Sequence, residues 1–224
     1  MTVHDVARAL PGIGELRDHC RALALLDAVL SPEWDSRYYS FDSRWSETED
    51  MASMRDGQGD EYAIVFSPAG AYVRGFDHES VMSPYGPLAD GEPWPGVLDE
   101  VPEVFRPYVD EPAFSDENDV PVVTACLWRE TTDTAWRAGT IDFPDEGDGE
   151  PDGSDHLFEL LVDRSAEAYR EWAADYYETP VDLDAVRHVM ALRPLTNELV
   201  AALNPDIGLA ELADDIAEIG YPTA

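Results

Sequence analysis

The stretch "RGFDHESVMSPYG", residues 74–86, places His78 between Asp77 and Glu79. An imidazole titrates near neutrality and carboxylates supply anionic oxygens, so this trio carries the groups needed for acid–base work or for holding a metal. Spacing limits what the three can do together. In an extended segment Asp77 and Glu79 point to one face and His78 to the other. Gly75 permits a turn or bulge, and a site could then pair His78 with a carboxylate from another strand, Asp60 or Glu61 of "GDEY". The alternative is the solvent-facing end of a strand, with His78 bonded to a backbone carbonyl.

A second cluster is "DFPDEGDGEPDGSDHLFE", residues 142–159, the densest run of acids in the chain. Carboxylates two or three residues apart lie within a Debye length and repel one another. The spacing resembles a calcium loop of the EF-hand type. Asp148, Glu150 and Asp152 take positions 1, 3 and 5, Gly153 position 6, Ser154 position 7 and Glu159 position 12. Departures are Glu at position 3, Asp155 where an apolar residue is usual, and no helix before the loop. Calcium is therefore the one cofactor the chain suggests. The competing reading is a solvated turn whose "GSD" caps the next helix, with acids near its positive end.

Other chemistry is absent. There is no GxSxG, no Walker-type loop, no GxGxxG after a strand, no HExxH and no Cys/His zinc spacing. The chain has no Lys at all, which removes Schiff-base chemistry and phosphate-cradling lysines. Trp34, Tyr38, Tyr39, Phe41 and Trp45, with Tyr85, Trp94, Trp128 and Trp136, read as core more than as a pocket. Tyr38 and Tyr39, being adjacent in a strand, are expected on opposite faces.

Forty-eight acidic residues against fourteen arginines leave a net charge of −34 over 224 residues. Nucleic acid and anionic membrane both require cationic surface, so neither is expected as a partner. A basic protein or a divalent cation is. Hydrophobic residues make up 44%, enough for a substantial core. Cys20 and Cys126 lie in apolar segments and read as reduced core thiols, with a single disulfide between them as the alternative. The opening "MTVHDVARAL" is charged where a signal peptide needs an apolar stretch, and the longest apolar run, 22–30, contains Asp27. A soluble cytoplasmic protein is the expectation.

The elements that must position these residues follow from periodicity. Leu16, Cys20, Leu23, Leu26 and Leu30 form one apolar stripe, predicting a helix over 14–30 that Pro32 stops. "SRYYSF", "MASMR", "EYAIVF" and "AYVRGF" are strand-like runs separated by "DGQGD", "SPAG" and other turn signals. The unbroken apolar run 63–66 predicts a central strand covered on both faces. The proline-rich stretch 80–121 should hold one or two short helices at 97–109. "VPVVTACLW", 120–128, reads as a strand, with 135–143 as its hairpin partner. Beyond 154 the pattern is helical, with Ser165, Asp182 and Thr196 as N-caps and Gly220 just past the last helix. The expected fold is α+β: an N-terminal helix, an antiparallel meander of five to six strands in 1–153, and a helical subregion over 154–224 packed on it.

The segments "CRALALLDAVLSPEWDSRYYSF", "GDEYAIVF", "GFDHESVMSPY" and "PLTNELVAALNPDI" resemble those of a widespread bacterial family of hypothetical proteins, over nearly the whole length. That resemblance implies no activity, ligand or catalytic residue. Size and acidity are also similar to immunity proteins that neutralise bacterial toxins, though no motif carries the likeness. The first reading is thus a non-enzymatic acidic protein that binds a basic partner, as an immunity protein does. One alternative is a metal-dependent hydrolase using His78 and nearby carboxylates. The other is a structural or housekeeping domain whose acidity keeps it soluble, with carboxylates spread around the surface.

Overall fold

Backbone N–H of Thr2 donates to the Asp5 carboxylate (2.9 Å), opening the first helix, α1 (Val3–Ala9). The structure, a computed structural model, describes residues 1–144 and 151–223. Helix α2 (Ile13–Leu30) covers the predicted span. The expected single stripe holds only for its first half. From Ala22 to Val29 every side chain is buried, Asp27 included. No helix among the described residues is long and apolar enough to cross a membrane.

Five antiparallel strands follow: β1 (Tyr39–Asp42), β2 (Asp50–Arg55), β3 (Glu61–Ser67), β4 (Gly70–Phe76) and β5 (Ala125–Glu130), in the order β1-β2-β3-β4-β5. As expected, β3 is covered on both faces from Tyr62 to Phe66, and β4 is buried throughout. The β3–β4 register runs from Glu61 opposite Phe76 to Ser67 opposite Gly70. Two readings need correction. Residues 120–124 do not join β5: Pro121, which offers no N–H, bridges Ser115, and the Val122 N–H bonds the Phe114 carbonyl (2.9 Å). Residues 135–143 form no strand. One bridge, Trp128 to Arg137, is made, and past it the backbone of Gly139 and Thr140 packs against Gly96.

The proline-rich stretch holds short 3-10 turns at 103–105 and 112–114 around α3 (Arg106–Val109). The helical part comprises α4 (Ser154–Leu157), α5 (Glu159–Val162), α6 (Ala166–Tyr176), α7 (Leu183–Met190), α8 (Asn197–Leu203) and α9 (Ala213–Ile219). The three predicted caps act as such. Ser165, Asp182 and Thr196 accept from the N–H of Ala168, Ala185 and Leu199. Gly220 ends α9 with φ +66°.

The chain divides into two compact units, each built from separated stretches. Met1–Ile13 and Arg55–Glu159 form the first, Gly14–Met54 and Leu160–Ala224 the second. Ile64, Tyr72, Val73, Leu127, Phe105 and Phe158 fill the first, and Leu23, Leu26, Tyr169, Val186 and Val189 the second. Cys20 and Cys126 are buried free thiols, one in each unit.

Candidate metal centre

Three segments of the first unit meet at the end of the β3–β4 hairpin remote from its turn. The first is the loop before β3. One carboxylate oxygen of Asp56 accepts the N–H groups of Gln58, Gly59 and Asp60 (2.7, 3.0 and 2.9 Å), closing the loop and fixing Asp60. The second is the exit of β4, where the register that sets Glu61 against Phe76 brings Asp77 to the same edge as Asp60. Asp77 does not continue the strand. Its Oδ1 accepts from the N–H of Glu79 and Ser80 (2.8 and 3.1 Å), and its own N–H bonds the Thr124 hydroxyl (3.1 Å). This turn breaks the alternation expected of residues 77–79.

The third segment is α4, which carries His156. Gly153 precedes it at φ +71°, and a Cβ there would come within 2.3 Å of the Asp77 Cβ, so only glycine fits. Asp152 anchors the segment from behind. Its carboxylate accepts from the N–H of Val3 (2.8 Å) and Ser154 (3.1 Å). The Ser80 hydroxyl donates to the Pro151 carbonyl (2.5 Å). Phe158 closes on Gly75, where any side chain would collide with its ring.

The result is a compact set of ligand atoms. One atom each from Asp60, Asp77 and His156 lie within 4.8 Å of one another. Asp60 is bracketed by two imidazoles. Its Oδ1 accepts from the His78 Nδ1 (2.7 Å) and backbone N–H (2.9 Å), and its Oδ2 meets the His156 Nε2 (3.1 Å). Burial pushes the Asp60 carboxyl up, but the two bonds from His78 and that from His156 outweigh it and hold it below the usual range. Burial raises the Asp77 carboxyl, with a further push from the charge on Asp60. The Asp60 hydrogen bond raises the His78 imidazole, which is exposed.

Of the candidates read from the sequence, His78 and Asp60 are brought together and Asp77 joins them. Glu61 turns elsewhere, its carboxylate engaged by the buried Arg74 guanidinium. Glu79 is exposed and contributes its N–H to Asp77. Of the calcium-loop set, Asp148 and Glu150 lie outside the described residues. Asp152 is engaged by backbone N–H groups, Ser154 is the first residue of α4, and Glu159 is exposed at the start of α5. His156 went unnoticed in the sequence, although it stands in the same "GSDHLFE" segment. It lies 96 residues from Asp60 in sequence, and no spacing rule spans that distance.

Among the aromatic residues, Trp128 and Trp136 are core and Tyr85 is 60% exposed. Tyr38 and Tyr39 are not on opposite faces. The strand begins only at Tyr39, and the two rings touch at 4.8 Å. Comparison with known proteins finds no matching family model, no matching curated protein and no matching solved structure.

Proposed function

We propose that the chain binds a first-row divalent metal ion through Asp60, Asp77 and His156 and uses it in hydrolysis. The observation that supports binding is the convergence of the three ligand atoms from three distant segments. Ligands about 2.1 Å from an ion stand some 3–4 Å apart, so only a small contraction is needed. Two carboxylates set edge to edge repel each other, and a dication between them turns that repulsion into attraction. The mixed oxygen and imidazole donors suit zinc, manganese or cobalt better than calcium or magnesium, which prefer oxygen alone.

Asp60, Asp77 and His156 would hold such an ion, which would supply Lewis-acid chemistry there. His78, bonded through Nδ1 to Asp60 (2.7 Å), stands beside the ligands as a proton donor to a leaving group. Metal analysis of chelator-free protein should find about one ion per chain, and zinc or manganese should stabilise it by about 3 kcal/mol at a hundredfold excess over Kd. Asp60→Ala and the exposed His156→Gln should abolish that rise. No bound ion and an unmoved melting curve reject the reading. A panel of chromogenic esters and phosphoesters then tests hydrolysis, which His78→Ala should slow about a hundredfold.

A second reading, an acidic protein that binds a basic partner such as a toxin, is favoured by how the cations are used. Arg17 and Arg21 are committed to Asp50, Arg37 to Asp215, Arg74 to Glu61 and Arg187 to Glu167 and Asp184. With net charge −34, most surface carboxylates have no internal counterion. Such a field speeds association with a basic protein and makes it salt-dependent.

A further inference from the structure

We propose that the outer face of α6, in the second unit, is a docking surface for an arginine-bearing segment of a basic protein. This rests on the second reading above and names the place where it operates. Trp172 and Tyr176, one turn apart, stack with ring centroids 5.2 Å apart and planes at 13°. Tyr38 meets both rings edge-on, at 4.8 and 5.0 Å. Tyr176 is 42% exposed, a large amount of aromatic surface for a side chain that neighbours could cover. The buried Asp27 carboxylate accepts the backbone N–H of Tyr38 (2.6 Å) and Tyr39 (2.9 Å), which fixes the backbone that carries the Tyr38 ring.

The surroundings select the ligand. Glu171 and Asp175 each precede a ring by one residue, and Glu178 follows the helix; all three are exposed. Beside them runs a shallow groove of about 470 Å³, lined by Ala174, Pro180 and Val181 together with Glu171, Asp175 and Arg170. Arg170, which also lines the groove, is paired with Glu171 (3.3 Å). Aromatic faces carry negative potential and attract cations, arginine most of all because its flat guanidinium stacks while its N–H fork engages carboxylates. A nucleic acid would also stack on such rings, but its phosphates are repelled by Glu171, Asp175 and Glu178. Ala174, Pro180 and Val181 accept the aliphatic part of the same segment.

Fluorescence anisotropy with labelled octa-arginine, at about 50 mM salt where the Debye length exceeds 10 Å, provides the test. Octa-arginine should bind more tightly than octa-lysine. Tyr176→Ala should weaken binding about tenfold and Tyr176→Phe should restore it, because the ring and not the hydroxyl carries the contact. Glu171→Gln, Asp175→Asn and Glu178→Gln together should weaken binding more than Glu92→Gln, Glu103→Gln and Glu117→Gln, which remove the same charge elsewhere. Binding that is indifferent to these choices overturns the docking surface and leaves the second reading standing. No binding of either peptide at low salt overturns both. Melting curves of each variant confirm that the fold is kept.

Discussion

Gly153 and Asp77 illustrate how closely the candidate centre is built at the level of single residues. Gly153→Ala introduces both a left-handed backbone that alanine resists and a carbon within 2.3 Å of the Asp77 Cβ. It should cost about 2–4 kcal/mol, read from urea unfolding, and should weaken metal binding in parallel. An unchanged midpoint would show that the segment relaxes freely. Two buried titratable groups of the second unit, Asp27 and His19, oppose each other with pH. Burial raises Asp27 to about 6, so the folded state holds a proton that the unfolded chain releases near pH 4, and stability falls as pH rises from about 4 to 6. Burial lowers His19 to about 4, so the unfolded chain holds a proton that the folded state refuses, and stability rises between about 4 and 6.5. Each contributes about 3 kcal/mol, and they nearly cancel. Asp27→Asn should therefore leave stability rising over that window. His19→Gln, which keeps a donor for the Leu160 carbonyl, should leave it falling. Parallel pH profiles of the two variants would refute this opposition.

At the level of elements, the caps are the features most directly read from sequence. Asp182 meets the N–H of Ala185 at 2.8 Å and begins α7, whose buried Ala185, Val186 and Val189 form one stripe. Asp182→Ala should cost about 1 kcal/mol in urea unfolding without altering ion binding, which involves the other unit. A loss of ion binding in this variant would contradict that separation. Helix α2, the four strands from β1 to β4 and the C-terminal helices were legible because apolar period and turn residues are local signals. Residues 135–143 were misread as a strand. An alternating pattern shows that a segment can pair, while the packing of Gly139 on Gly96 just past the Arg137 bridge joins segments dozens of residues apart.

Over the whole molecule, charge dominates. A net −34 repels itself, while pairs such as Arg17–Asp50 are local attractions that salt weakens. Self-repulsion should prevail, so the melting temperature should rise by several degrees between about 20 mM and 500 mM sodium chloride, as the Debye length shrinks below the spacing of surface carboxylates. A falling melting temperature would mean that the ion pairs outweigh the repulsion.

The sequence by itself determined most helices and strands, the α+β class, the absence of lysine chemistry and the anionic character, all of which follow from local pattern or simple counts. It also singled out His78 and Asp60. Only the tertiary structure decided that Asp77 faces Asp60, that Glu61 turns to Arg74, and that His156 completes the set. Strand register and helix docking bring atoms within a few ångströms across dozens of residues, and that proximity is a product of packing that no local pattern encodes.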